Sequence, residues 1–225
     1  AFKDIVVKQP RLPSGQEKPE AEGTSGFSRT TRTNPEMATT QPDIELQLIG
    51  LVKQGDPAAL RTVYSTYIRY LTAVCSRYVL NNEDVKDVLH DSFLKIFDAI
   101  GSFEYRGKGS LKGWLTRITV NQALKFLHDN SRMEFVEISD REQDISDEEP
   151  CADSIPPSVI YNLIREMPDG YRTIFNLYVI EGKSHKEISA LLNIKESTSA
   201  SQLHRAKSML AAKIRQYQTL TPIPT

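Results

Sequence analysis

From Ile44 onward, apolar residues recur every three or four positions almost to the end of the chain. The clearest run, over four helical turns, consists of Val85, Val88, Leu89, Phe93, Ile96, Phe97 and Ile100. This i, i+3, i+4 spacing is typical of amphipathic helices, whereas the two-residue alternation that indicates strands is absent. The pattern therefore predicts an all-α protein.

Short polar residues predict where the helices begin and turn. Asp56-Pro57 indicates an N-cap carboxylate followed by proline in the first turn. Ser110 is the predicted N-cap of the helix that carries Trp114. Ser184, with Glu187 three residues later, predicts a capping box.

Composition divides the chain into a disordered N-terminal segment, a helical domain, a flexible acidic linker, a second helical domain and a tail. The predicted bounds are 1–42, 43–128, 129–156, 157–217 and 218–225. Met37 lies just before the first periodic segment, and we expect it to be a natural start preceded by a non-native stretch.

The net charge of −1 hides a strong segregation of charge. Basic residues exceed acidic ones by two in residues 43–128 and by four in 154–225, whereas acidic residues exceed basic ones by eight in 129–153. Charges act on a phosphate only within about 8–10 Å at physiological salt, so the local balance matters more than the total. Two mildly basic bodies separated by an acidic stretch are compatible with DNA binding.

Several function classes find no support in the pattern. His90-Asp91-Ser92 is contiguous on a helix, so these side chains point about 100° apart and form no catalytic relay. Cys75 and Cys151 have no partner at metal-ligand spacing. No apolar run reaches the roughly 20 residues that span a bilayer. We expect a cytoplasmic protein that is not an enzyme, has no metal or cofactor and does not insert into a membrane.

The region from Ser184 to Ala206 is typical of a helix-turn-helix unit. Leu203, Ala206, Leu210 and Ile214 form the predicted inner stripe of its second helix. The residues predicted to face outward, where they would meet base edges or phosphates, are Ser197, Thr198, Ser201, Gln202 and Arg205. The alternative is a generic helical hairpin with a polar solvent-facing side.

Residues 103–128 combine basic side chains with Phe103, Tyr105 and Trp114, a composition that suits single-stranded DNA. Trp114 also fits the apolar stripe of its own helix, so core packing is the alternative to base stacking. For the basic residues alone, the alternative is a solvated face.

With these residues the chain resembles the extracytoplasmic-function group of the bacterial sigma factor superfamily over about residues 44–216. The segments that carry the resemblance are Gly55–Leu60, Asp84–Phe93, Phe103–Gly107 with Trp114–Asn121, Met167–Arg172, Glu181–Ser184 and Leu203–Lys207. In this family the first domain docks on polymerase and recognises and melts the -10 element, and the second recognises the -35 element.

The resemblance implies roles for individual residues. The implied -10 contacts are Asn121, Arg106, Lys108, Lys112, Arg117 and Lys125. The implied -35 contacts are Thr198, Ser201, Gln202, Arg205 and Lys207. The implied docking residues are Asp84, Asp87, Asp91 and Phe93, with Phe93 expected on the buried side of its helix. Asn121 would read a flipped base through its amide, although a purely structural role on its helix is the alternative. Where the family often has a basic residue, this chain has Ala200.

The implied partners are promoter DNA and core RNA polymerase, through the clamp helices of its largest subunit and the flap of its second subunit. A membrane-associated anti-sigma factor is a further expected partner. The acidic linker is interpreted either as a mimic of nucleic acid inside the polymerase or as a solvated spacer. The rival functions are a helix-turn-helix regulator that binds duplex DNA without polymerase, and a helical protein-binding module.

Overall fold

The computed structural model describes residues 44–130 and 155–220, and all regular structure in these two ranges is helical. The all-α prediction is therefore confirmed. The segment 1–42 with Met37, residues 131–154 of the predicted linker and residues 221–225 of the tail lie outside the described residues. No helix in the described ranges has the length and hydropathy needed to cross a membrane.

Four helices form the first helical group, residues 44–130. They are α1 (Ile44–Lys53), α2 (Pro57–Cys75), α3 (Asn82–Ala99), which continues into a 3-10 turn (Ile100–Ser102), and α4 (Ser110–Asp129). Helix α4 packs against both α2 and α3, and α1 packs against α2. The side chains of Val63, Leu71, Ile96, Leu111 and Leu115 are fully buried at the centre of this group. The core thus holds one face of α4 and leaves the other face in solvent.

Capping side chains explain where α2 and α3 begin. Asp56 Oδ1 accepts a hydrogen bond from the Ala58 N–H at 2.8 Å, and Pro57 occupies the first helical turn, as predicted. Asn81 Oδ1 accepts from the Glu83 N–H at 2.8 Å. Each cap satisfies a backbone donor that has no partner inside its helix.

The start of α4 differs from the prediction. Ser110 is the first residue of the helix, and its cap is Gly109, which has a left-handed conformation with φ of 87°. The Ser110 hydroxyl instead accepts a hydrogen bond from the backbone N–H of Arg106 at 3.2 Å. Because this hydroxyl folds back onto the preceding loop, it does not cap the helix.

The second helical group spans residues 155–220. It contains α5 (Pro157–Arg165), α6 (Asp169–Phe175) with a π-helical turn (Asn176–Ile180), α7 (His185–Leu192) and α8 (Glu196–Leu220). Helix α8 contacts α5, α6 and α7, so it is the central element of this group. It also extends to Leu220, three residues beyond the predicted domain end.

Helices α7 and α8 form the helix-turn-helix unit that the pattern predicts. The Ser184 hydroxyl accepts from the Glu187 N–H while the Glu187 carboxylate accepts from the Ser184 N–H, so the predicted capping box is present. The Ser184 hydroxyl also donates to Glu187 Oε2 at 2.8 Å, and the bond from the Ser184 N–H together with this one lowers the pKa of Glu187. Asn193 turns the chain between the helices with a left-handed φ of 53°, a conformation that asparagine tolerates.

The two groups contact each other through α6, its π-helical turn and the residues that follow α2. Arg172 Nη2 donates to the Tyr78 carbonyl at 2.9 Å, and Asn176 Nδ2 donates to the Arg77 carbonyl at 2.8 Å. Arg165 donates from the end of α5 to the carbonyls of Ser76 and Leu80, each at 3.3 Å. We call these bonds the inter-group contact. No local sequence pattern predicts it.

An ion pair between Arg77 and Glu181 lies beside the inter-group contact, with Arg77 Nη1 3.4 Å from Glu181 Oε1. Burial raises the pKa of Glu181 above its ordinary value, although the Arg77 and Lys183 charges oppose the rise. Desolvation of the carboxylate therefore outweighs the attraction of the guanidinium at this position.

Candidate nucleic-acid interface

The loop before α4 and the outer face of α4 carry the side chains that were predicted to contact a -10 element. All six of them, Arg106, Lys108, Lys112, Arg117, Asn121 and Lys125, are exposed. They lie on the surface that the core of the first helical group leaves open. An exposed cationic surface of this kind is what binding to a phosphate backbone requires.

Helix geometry brings only some of these residues together. Arg117, Asn121 and Lys125 are spaced four residues apart, so they form one line along α4. Lys112 lies about 140° around the helix from Arg117, toward α2. Its Nζ is 4.0 Å from the centre of the Tyr70 ring, a cation–π contact. Lys112 is therefore separate from the line that contains Asn121.

Trp114 has features of both interpretations that the sequence allows. Its ring packs against that of Phe103, with centroids 5.2 Å apart and planes tilted by 48°, and Phe103 itself is buried. Trp114 nevertheless remains partly exposed and lies on the same side of α4 as Arg117 and Asn121. The aromatic pair anchors the loop to the core and leaves part of an indole at the surface.

Two ion pairs involve the basic side chains of this surface. Arg106 Nη2 is 3.3 Å from Glu104 Oε2, and Lys125 Nζ is 4.0 Å from Asp129 Oδ2. All four side chains are more than half exposed. Exposed pairs of this kind contribute less than about 1 kcal/mol, so a phosphate can displace either carboxylate at little cost.

Helix α8 presents a second candidate surface at its N-terminal end. Thr198, Ser201 and Arg205 follow i, i+3, i+7 spacing and form one stripe in which Ser201 is exposed and the other two are half-buried. Lys207 is also half-buried but lies about 160° around the helix from Arg205. The structure thus groups three of the five predicted -35 residues.

The prediction that Gln202 faces outward is wrong, because only 1% of its surface is exposed. It follows Ser201 by about 100° around α8, and that rotation turns it from the outer stripe into the interior of the second helical group. Local composition suggested an outer position because glutamine is polar, but the helical register sets its direction.

Ser199 and His185 join the two helices of the helix-turn-helix unit, a link the sequence analysis missed. Ser199 is fully buried, and its Oγ is 2.9 Å from His185 Nδ1. The His185 ring also stacks on Tyr178, with centroids 4.7 Å apart. A polar residue on the inner stripe of α8 therefore has a hydrogen-bond partner, which offsets the cost of burying it.

The residues predicted to dock on polymerase lie along α3, beside an open groove of about 900 Å³ between α2 and α3. Asp87 and Asp91 are exposed and Asp84 is half-buried. Phe93 is only 4% exposed, as its expected buried position implies, so its own side chain offers little surface to a partner. It packs instead beneath Tyr64, with centroids 4.7 Å apart, and Tyr64 is 47% exposed. Tyr64 is a docking candidate that the sequence analysis did not identify.

Two family models match the chain, one on each helical group. A family model for Sigma-70 region 2 matches residues 63–133, and a model for Sigma-70, region 4 matches residues 158–210. Together these matches span more than half of the chain. The region 2 match contains α4 with its basic surface, and the region 4 match contains α7 and the part of α8 up to Leu210.

Individual relatives agree with the family models. The chain is 28% identical to the ECF RNA polymerase sigma-E factor of Haemophilus influenzae, covering 74% of this chain and 93% of that protein. It is 28% identical to the protein of the same name in Escherichia coli K12, covering 74% and 92%. A solved structure of CnrH in complex with the cytosolic domain of CnrY is similar at 18% identity with a TM-score of 0.44, covering 77% of this chain and 99% of that one. With two sigma-70 regions in order on two helical groups, this chain belongs to the extracytoplasmic-function group of the sigma-70 family of RNA polymerase sigma factors.

Proposed function

We propose that the first helical group docks on core RNA polymerase and captures an unwound -10 strand, while the second helical group binds the -35 duplex. As a sigma factor, the chain directs promoter-specific transcription initiation. The observation that carries the residue-level proposal is the exposed line of Arg117, Asn121 and Lys125 on α4, beside the partly exposed Trp114. This line combines cations for phosphates, an amide for a base edge and an aromatic surface for stacking.

Asn121 is the proposed reader of a flipped -10 base. Its amide carries one acceptor and two donors, so it can pair with the hydrogen-bonding edge of a base. Arg117 and Lys125 lie one turn to either side and supply positive charge for the neighbouring phosphates. Arg106 and Lys108 extend the same positive charge into the loop before α4.

For the -35 duplex, the proposed contacts are Thr198, Ser201 and Arg205 at the N-terminal end of α8. A helix-turn-helix unit places the N-terminal residues of its second helix in the major groove. Arg205 is the strongest candidate for base recognition, since a guanidinium can donate two hydrogen bonds to a guanine edge. Lys207 lies about 160° around α8 from Arg205, away from this stripe, so no -35 contact is proposed for it.

Docking on polymerase is proposed for the face of α3 that carries Asp87 and Asp91, together with Tyr64 at the rim of the groove. Exposed carboxylates beside an exposed aromatic ring suit a partner surface that is basic at its edge and apolar at its centre. We assign this face to the clamp helices of the largest subunit and the second helical group to the flap of the second subunit. A membrane-associated anti-sigma factor is the proposed regulator.

Transcription with purified core polymerase tests the proposal. Sheared genomic DNA is transcribed with and without this protein, and the 5′ ends of the RNA are sequenced. We expect new start sites that share two upstream elements and that appear only when the protein is present. A helix-turn-helix regulator would bind duplex DNA by itself but would create no such start sites, and that result would contradict the proposal. The mapped promoters then serve as templates for transcription by variants of the protein.

A further inference from the structure

The N-terminal end of α4 lacks the capping residues that would normally hold it. Gly109, the cap, has no side chain, and Lys112 stands at the third helical position, where a capping box has an acid or amide. The Gly109 N–H instead donates to Glu45 Oε2 at 2.8 Å, from α1 and 64 residues earlier in the chain. Glu45 thus performs from a distance the task of the missing capping-box glutamate, and its negative charge lies at the positive end of the α4 dipole.

The other carboxylate oxygen of Glu45 is tied to α2. Tyr67 donates its hydroxyl to Glu45 Oε1 at 3.0 Å. Burial raises the pKa of Tyr67 to about 12, with further contributions from this hydrogen bond and from the Glu45 charge, so the phenol remains a donor throughout the physiological pH range. One half-buried carboxylate therefore connects α1, α2 and the loop that leads into α4.

The loop that Glu45 holds carries Arg106 and Lys108. At its start, Phe103 is buried against Trp114, and at its end, Gly109 is held by Glu45. Between these anchors, Gly107 has a φ of 105°, and the Arg106 N–H is bonded to the Ser110 hydroxyl at 3.2 Å. A glycine-rich loop has many accessible conformations, so a bond at its end restricts where its two cations can lie.

We propose that Glu45 is a positioning residue for promoter capture: by holding the Gly109 N–H, it fixes the loop so that Arg106 and Lys108 meet the phosphates of the unwound strand. This inference rests on the proposed -10 function of the first helical group. A free carboxylate close to a DNA-binding loop would repel the phosphates. The Glu45 carboxylate instead lies at the positive end of the α4 dipole, where its charge stabilises the start of the helix. Glu45 itself need not touch the nucleic acid.

A double-mutant cycle tests the inference with reconstituted holoenzyme. The probe is a mapped promoter fragment whose nontemplate -10 segment is single-stranded. Glu45→Met keeps an unbranched side chain of similar length but removes both carboxylate oxygens, so the Gly109 N–H loses its acceptor, and we expect binding of the probe to weaken about 5- to 10-fold. In an Arg106→Ala/Lys108→Ala background, the same substitution should change binding less than about twofold, because the side chains through which it acts are gone. Affinity for core polymerase should remain unchanged.

Two further variants separate positioning from general stability. Tyr67→Phe leaves the Gly109 bond in place and removes only the tether to α2, so we expect a smaller loss in the same direction. Glu166→Met is the matched control, an exposed glutamate of the second helical group that pairs with Lys213, and it should bind the probe like the unaltered protein. Thermal unfolding of every variant shows whether the fold is retained.

The results show whether Glu45 positions the loop and whether the loop binds the unwound strand. Equal losses from Glu45→Met in both backgrounds, or a parallel loss of core binding, would mean a general structural role and overturn the inference. If the loop variant is defective but Glu45→Met is not, the inference fails while the -10 assignment stands. If the Arg106→Ala/Lys108→Ala variant binds the probe normally, the -10 assignment of the loop and the inference fail together.

Discussion

Arg172 of the second helical group donates a hydrogen bond from Nη2 to the carbonyl oxygen of Tyr78 in the first, 2.9 Å away. The guanidinium also donates to the carbonyls of Met167 and Arg165, at 2.7 and 3.3 Å, and pairs with Asp169. Only 1% of the residue is exposed. A buried charge with this many partners holds together two parts of the chain that are 94 residues apart in sequence.

Arg172→Ala should lower the free energy of unfolding by about 3–5 kcal/mol, because it removes the partner of Asp169 and leaves several buried carbonyls without their donor. Urea denaturation followed by circular dichroism measures the change. Arg69→Ala is the matched control, since Arg69 is exposed on α2, and its effect should stay within about 0.5 kcal/mol. Similar effects for the two arginines would show that the inter-group contact contributes little to stability.

Asn121→Ala should reduce open-complex formation on mapped promoters at least about tenfold, if the amide reads a flipped base through paired hydrogen bonds. Affinity for core polymerase should not change. Permanganate reactivity of unpaired thymines measures opening, and fluorescence anisotropy measures core binding. Asn130→Ala alters another exposed amide, the one whose Nδ2 bonds the Phe126 carbonyl at the C-terminal end of α4, and should open promoters normally. Normal opening with Asn121→Ala would support its purely structural role.

Substitution of Arg205 and of Gln202, which lie three residues apart on α8, should affect different properties of the protein. Arg205→Ala should weaken promoter binding by about 1–3 kcal/mol and relax sequence preference at one -35 position. Gln202→Ala should instead lower stability, because its side chain is buried, and leave the sequence preference as it was. Binding to a library of -35 variants and urea denaturation separate the two effects. A changed preference in Gln202→Ala would contradict its position in the interior.

The raised pKa of Glu181 predicts a pH dependence with a definite sign. The folded protein holds the proton of the Glu181 carboxyl more tightly than the unfolded chain does, so protonation of Glu181 stabilises the fold. This stabilisation is complete below the ordinary pKa of 4.5 and is lost as the pH rises through the raised pKa. Glu181→Gln removes this loss. Relative to the unaltered protein, the variant should therefore gain in free energy of unfolding as the pH rises from about 4.5 to 7.

Arg77→Met provides the complementary variant for Glu181. It removes the cation that opposes the rise in pKa, so stability should fall more steeply with pH than in the unaltered protein. Urea midpoints at several pH values give both slopes. A Glu181→Gln variant that becomes progressively less stable as the pH rises would mean that the ion pair outweighs desolvation, contrary to the expectation.

Local signals in the sequence predict the helices well and the contacts between distant segments poorly. The capping box at Ser184 and Glu187 and the Asp56-Pro57 start are correct because each depends on residues within one turn. The N-cap assigned to Ser110 fails because its hydroxyl bonds the Arg106 N–H and a distant carboxylate holds the helix end.

The candidate sites follow the same division. Exposure of the predicted -10 residues on α4 follows from the apolar stripe of that helix, since polar positions opposite a core stripe lie in solvent. The direction of Gln202 depends on how α8 is rotated against α6 and α7, which polarity alone does not reveal. The inter-group contact requires Arg172 to reach Tyr78, 94 residues earlier in the chain, and no pattern within either segment indicates that the two residues meet.

The inter-group contact has a consequence for promoter engagement. The -10 and -35 elements lie about 25 base pairs apart, or roughly 85 Å at 3.4 Å per base pair. A body the size of the two helical groups is about 40 Å across when compact, so the pair cannot reach both elements while Arg172 remains bonded to Tyr78. On the proposed division of -10 and -35 binding between the two groups, promoter binding requires the inter-group contact to separate, and polymerase and DNA together must supply the free energy that this separation consumes.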